Sequence, residues 1–271
     1  MIVPSYTQSR YVMGSWWVVA RSGVVTRREG FDDGVPNGGM DAAVVTVGDE
    51  LLAGRTTNTN ATWLCERLAE RGVTVERVTT VPDRVSDIAQ VVNEYRADYD
   101  RVIVTGGVGP THDDVTMAGV AAAFGRSIEE HPDALAWLTE EAGYATDELT
   151  EGTAAIPRGA RPLHNEVGVA PGAVVRTVYV LPGVPAEMRG MFEGVADEFE
   201  GTPSVEVTVV TDEPESKLLD RIESVRNRFD VEVGSYPGGS VRLVLSGDRE
   251  EEVERAAAWL RERVSSPAHS E

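Results

Sequence analysis

Cysteine and lysine are almost absent from this chain: Cys65 is the one cysteine and Lys217 the one lysine in 271 residues. A single thiol excludes a disulfide framework and a cysteine-based metal site. No stretch approaches ~18 consecutive apolar residues, so no membrane-spanning helix is expected. Basic residues are scarce as a class, with 25 Lys+Arg against 45 Asp+Glu and a formal net charge of −20. A surface of that sign repels a phosphate backbone, which argues against nonspecific nucleic-acid binding. His112, His131, His164 and His269 have no G-x-S-x-G partner, so nucleophilic-triad chemistry has no support. With 41% hydrophobic residues the chain is too apolar to be disordered. A soluble, cytoplasmic globular protein is the expectation.

The acid excess has a particular character. All basic residues but Lys217 are arginine, as a GC-rich coding sequence would give, but base composition alone does not supply the surplus of carboxylates. A carboxylate-covered surface stays hydrated in concentrated salt, where self-repulsion is screened within a few ångströms, so the chain reads as halophilic.

Three regions differ in pattern. Residues 1–39 carry four arginines, three acids and five of the 17 aromatics, then end in a Gly/Pro/Asn loop. The segment 12–20 has no preceding basic cluster and is broken by Gly14 and Ser15, unlike a secretory signal. Met40 is the expected biological start, and 1–39 a disordered or non-native extension. From residue 40 strands and helices alternate: strands at 43–47, 74–81 and 101–105, helices at 59–71, 86–96 and from about 114. Further helices fit 132–142, 147–155 and 185–198, with a tight hairpin over 173–180. Such alternation gives an α/β domain with a mostly parallel sheet covered on both faces, over 40–200. Past Gly201 a β-α-β-β-α string (205–210, 215–228, 231–235, 241–246, 250–264) predicts a small α+β domain over 201–271.

In an open parallel sheet, ligands bind beyond the carboxyl ends of the strands. Three such ends carry polar and glycine residues here. The first is Thr105-Gly106-Gly107-Val108-Gly109-Pro110-Thr111-His112-Asp113-Asp114-Val115-Thr116. Its glycines let backbone N–H groups turn toward an anion, and the following helix points its positive end the same way. Asp113, Asp114 and Thr116 fall at that helix's first turn, where Asp and Thr are ordinary helix caps, but one carboxylate suffices for a cap, so the second invites a metal or substrate role. The loop lacks the Gly-Lys-Ser/Thr ending of a Walker motif and the G-x-G-x-x-G spacing of a dinucleotide fold. The second end, Gly48-Asp49-Glu50, is followed by Thr57-Asn58-Thr59-Asn60. Its adjacent acids suit a hard cation, or are solvated, with Asn58 or Thr59 capping a helix. In the third, Leu181-Pro182-Gly183-Val184-Pro185-Ala186-Glu187-Met188, Pro185 suits a first helical turn, and Glu187 reads as either a dipole partner or a ligand contact.

Taken together, VGDELLAGRTTNTNATWL (47–64), TGGVGPTHDDVT (105–116), NEVGVAPG (165–172) and LPGVPAEM (181–188) resemble the MoaB/Mog molybdopterin-binding fold, and most closely the N-terminal part of the competence/damage-inducible protein A (CinA) family. The small second domain, with GSYP (234–237), is similar to that family's next segment, while its C-terminal amidase domain has no counterpart here. The resemblance implies a three-layer α/β/α domain binding a pterin or nucleotide diphosphate, and a tendency to self-associate. It implies a phosphate cradle of Thr105, Gly106, Gly107, Gly109 and Thr116, with Asn58, Gly183 and Pro185 beside it. A divalent metal (Mg, Mn or Co) would sit on Asp49 and Asp114, with Asp114 catalytic and either Asp113 or Glu50 orienting a water. The activity implied is metal-dependent pyrophosphatase action on ADP-ribose-like nucleotides. The alternative is a non-hydrolytic molybdopterin or nucleotide module, linked to molybdenum cofactor biosynthesis. Asn58 stands where the adenylyltransferase branch usually has aspartate, and Asp113 where it tends to carry a basic residue, which makes this site more electronegative.

Overall fold

The computed structural model describes residues 39–109, 111, 114–145, 147 and 149–265. Strand β1 (Met40–Val47) is buried from Ala42 to its end on both faces, as a central strand of a covered parallel sheet must be. A short helix α1 (Asp49–Leu52) follows, then α2 (Thr59–Glu70), the edge strand β2 (Val73–Val81), α3 (Val85–Asp98) and β3 (Arg101–Thr105). Next come α4 (Thr116–Ala123), β4 (Ile128–Glu130), α5 (Pro132–Ala136), β5 (Ala155–Pro157) and β6 (Arg161–Leu163). The first domain closes with β7 (Gly172–Val175), β8 (Val178–Leu181) and α6 (Pro185–Glu193).

Six strands form one sheet in the order β2-β1-β3-β8-β7-β6. The first four run parallel, and β7 lies antiparallel to both of its neighbours, β8 and β6. Leu64 and Leu68 of α2 and Met188 and Phe192 of α6 fill one face. Ile88 and Val92 of α3 and Val120 of α4 fill the other. Gly119 lets those two helices touch, since a Cβ there would stand 2.6 Å from Ile88 Cβ. The result is a three-layer α/β/α architecture.

The smaller unit is α+β: β9 (Val205–Thr211), α7 (Leu219–Arg228), β10 (Glu232–Tyr236), β11 (Val241–Gly247) and α8 (Glu250–Arg261). Its antiparallel sheet has the order β10-β11-β9. Leu243, Leu245, Val225 and Leu260 meet in its core.

Two local expectations give way. In place of the helix expected over 147–155, residues 149–154 run as turns up to β5, because Gly152 takes φ +88° and the Thr153 hydroxyl donates back to the Thr150 carbonyl (2.6 Å). The helix over 132–142 is α5 followed by a π-helical turn (Trp137–Glu141). The hairpin over 173–180 does form, with the left-handed backbone of Arg176 (φ 57°) turning β7 into β8. The expected features of residues 1–38 lie outside the described residues.

Candidate functional site

The chain leaves β1 to form β2 on one side and then crosses to form β3 on the other. The loops after β1 and β3 therefore diverge, opening a crevice where the strand order reverses. There the structure has a pocket of about 320 Å³. It is lined by Thr46, Val47, Gly48, Glu50, Leu51, residues 56–60, Asp83, Thr105, Gly106, Gly107, Asp114, Gly183 and Pro185. All three glycine- and acid-bearing strand ends read from the sequence meet at this one place.

Its floor is backbone. Gly106 (φ 102°) and Gly107 (φ 58°) are both left-handed, and a Cβ on Gly106 would stand 2.2 Å from the Val47 carbonyl oxygen. Only glycine fits there. The Gly106 N–H donates to the Leu181 carbonyl (3.2 Å), while that of Gly107 makes no hydrogen bond among the described residues. The hydroxyls expected beside phosphate hold this loop instead. Thr105 Oγ1 donates to the Pro182 carbonyl (2.6 Å) and Thr116 Oγ1 to the Gly106 carbonyl (2.7 Å), and both residues are buried. Gly109 stands against Asp114, outside the lining.

Carboxylates form the walls. Glu50 and Asp114 line the pocket, but Asp114 precedes α4 and its Oδ2 accepts the Thr111 amide (3.0 Å) and hydroxyl. The Asp49 side chain is exposed and outside the lining; its backbone N–H donates to Asp83 Oδ2 (2.8 Å). Asp83 itself was missed in the sequence. The signal was its place two residues past β2, which is also a parallel-strand end. Burial, and then the charges of Asp49, Glu50 and Asp114, raise its proton affinity above that of an ordinary aspartate, partly offset by the Asp49 amide. Asp113 and His112 lie outside the described residues.

Among the described residues no Lys, Arg or His lines the pocket, so a bound phosphate would face the carboxylates of that lining. No group of three His, Cys, Asp or Glu among the described residues forms a metal-ligand set. The donor set does fit a divalent ion of the Mg²⁺ type, which is commonly held by one or two carboxylates plus the phosphates of its ligand rather than by an all-protein cage. Asp83, Asp114 and Glu50 are the carboxylates of the lining from which such a pair would come.

Amides fix the remaining wall. Asn58 Oδ1 caps α2 by accepting the Ala61 amide (3.1 Å), and its Nδ2 donates to Thr46 Oγ1 (3.0 Å). Asn60 Nδ2 donates to the Gly183 carbonyl (2.8 Å), tying the first loop to the third. Pro185 opens α6. Glu187 lies in the first turn of α6, as a dipole partner would, and outside the pocket lining; it accepts from Asn165 Nδ2 (2.8 Å), while Asn165 Oδ1 accepts the Val167 and Gly168 amides. The NEVGVAPG segment is thus latched to α6.

Comparison with known proteins matches residues 43–201 to the probable molybdopterin binding domain and 203–269 to the middle domain of FAD synthase. A protein of Archaeoglobus fulgidus is 38% identical over 83% of this chain and 99% of its own length. One from Aeropyrum pernix is 43% identical over 82% of this chain and 91% of its own. The crystal structure of a CinA protein of unknown function from Thermoplasma acidophilum, 36% identical, superposes with a TM-score of 0.54 over 59% of this chain and 99% of that one. With the pocket at its switch point and that family model spanning more than half of its length, this chain belongs to the probable molybdopterin-binding domain family, with a small α+β domain following in the sequence.

Proposed function

We propose that this protein is a binding module for a phosphate-bearing pterin or nucleotide, working in the cytoplasm on a step linked to molybdenum cofactor biosynthesis. One observation carries the reading: three strand-end loops close a pocket of about 320 Å³ over the left-handed Gly106–Gly107 backbone. That backbone brings an uncommitted amide to the pocket and leaves room for a phosphoryl oxygen beside it. A divalent cation between Asp83 and Asp114 would make the acidic walls compatible with phosphate, and the chemistry it supplies is charge neutralisation and polarisation of phosphoryl oxygens. Glu50 is the remaining carboxylate of the lining and can hold a water proton. Thr105, Thr116 and Asn58 brace the loops. The amide network they form keeps the pocket's shape before ligand arrives.

A second reading, hydrolysis of an ADP-ribose-like diphosphate, is favoured by Glu50, a lining carboxylate left free by a cation between Asp83 and Asp114. A carboxylate in that condition can take a proton from an attacking water. Incubation of protein with ADP-ribose and Mg²⁺, Mn²⁺ or Co²⁺ separates the two. Binding by calorimetry without release of AMP is the expected result, and AMP formation abolished by Asp114→Ala would establish the hydrolase. No binding of any phosphate-bearing pterin or nucleotide, with or without metal, would defeat both.

A further inference from the structure

The six-stranded sheet ends at β2, a nine-residue strand whose outer edge faces no other strand among the described residues. Between Thr74 and Thr80 that edge makes no backbone hydrogen bond to any loop among the described residues. Glu76, Arg77 and Val78 are exposed in succession, and Val78 keeps 47% of its surface. Exposed edges of this length are templates for pairing unless they are blunted.

The sequence of the edge, Val73-Thr-Val-Glu-Arg-Val-Thr-Thr-Val81, is close to a palindrome about the bond between Glu76 and Arg77. Turned upon itself antiparallel, it sets Thr74 opposite Thr79, Val75 opposite Val78, and Glu76 opposite Arg77. In a regular strand this register is forbidden. Opposed residues must share a face, and an even- and an odd-numbered residue do not. Here β2 carries a bulge: Val75 pairs with Ala42 and Arg77 with Ala43, leaving Glu76 as the inserted residue. The bulge reverses the alternation halfway along. Val73 and Val75 pack toward α2, and beyond the bulge that face passes to Thr80, whose hydroxyl meets Thr46, and hence to Val78. The opposite face holds Arg77 and Thr79, which reach the hydroxyls of Tyr99 and Tyr95 on α3 (3.3 and 2.6 Å), together with Thr74 before the bulge. Each pairing above therefore joins side chains of one face, which only the bulge permits.

We propose that two copies of this chain associate through their β2 edges, antiparallel about a two-fold axis between Glu76 and Arg77, joining their sheets into one. Two Glu76–Arg77 pairs flank the axis, and two Val75–Val78 pairs lie outside them. The contact ends at Gly72, where the 202–203 backbone crowds in.

The test is the mass of the full chain by light scattering over a concentration series in high salt. The wild type should dimerise. Glu76→Arg alone, and Arg77→Glu alone, place like charges opposite each other twice. Either should raise the dimer dissociation constant about tenfold or more. The double exchange Glu76→Arg with Arg77→Glu should restore it, and circular dichroism of each single variant checks that it folds. Val78→Lys should favour the monomer. A monomeric wild type would overturn the proposal, with the bulge and charges then serving to blunt the edge. Association indifferent to the charge swaps, through some other surface, would overturn it equally.

Discussion

Tyr179 is 2% exposed, and its hydroxyl donates to Glu198 Oε2 (2.9 Å), which in turn belongs to a carboxylate held by Arg161 (2.6 Å). Burial first, then the bond and charge of Glu198, push the phenol up to about 12. The folded state therefore keeps a proton that the unfolded chain releases near 10. Stability should be whole below that point and fall by roughly 2–3 kcal/mol as pH climbs from about 10 to about 12. Tyr179→Phe should lose the bond at neutral pH and flatten that alkaline slope, measured by urea melts at several pH values. At Asp83 the sign is the same. A carboxyl with elevated proton affinity stabilises the fold when protonated and weighs against it once pH passes its folded value. Asp83→Asn retains an acceptor for the Asp49 amide. It should raise the melting temperature at pH 7, with the gain vanishing below about pH 4, and should abolish metal-dependent phosphate binding. A neutral effect on both readouts would remove Asp83 from the site.

At the scale of elements, the site is a set of termini. Helix α2 starts where Asn58 caps it, and the same side chain reaches back to Thr46 on β1, so one residue fixes both the helix and the strand end it left. Asn58→Ala should cost about 1–2 kcal/mol from the lost cap and weaken ligand binding by loosening 56–60. Chemical denaturation and calorimetry check the two parts, and an unchanged midpoint would show the cap to be redundant. The glycine loop, α2 and the 181–188 turn were legible because turn chemistry is local: left-handed glycines, caps and an N1 proline act within a few residues. Asp83 was not legible for the opposite reason. A lone aspartate after a strand has no local pattern, and its meaning comes from Asp49 and Gly107 lying beside it in space. The turn at 149–154 was misread because its apolar spacing suits a helix while Gly152 adopts a backbone that no helix uses. Thr105 and Thr116 stood in the right loop, yet the fold spends their hydroxyls on carbonyls that no sequence pattern could pair with them.

Across the whole molecule the acid surplus dominates. A net charge of −20 opposes compaction, and the ion pairs Arg67–Glu70, Arg158–Glu129 and Arg249–Asp230 are too exposed to offset it. Salt screens the net repulsion more than it costs such pairs, so the melting temperature should rise by several degrees between about 0.1 M and about 2 M KCl. A flat or falling curve would refute the proposed adaptation to salt. The same surface makes any association of two copies easier to see in concentrated salt.

By itself the sequence determined the layered α/β class, the small α+β companion, the three strand ends that would meet a ligand, and the exclusion of a disulfide framework. These follow from periodicity, turn residues and counts, all of which act along the chain. Tertiary structure alone decided which carboxylates face the crevice and which hydroxyls are spent, and it turned an edge strand's near-palindrome into a register that can pair. The physical reason is that solvation, field and opposition between strands depend on distance in space, and residues 34 or 77 positions apart become neighbours only when the sheet has closed.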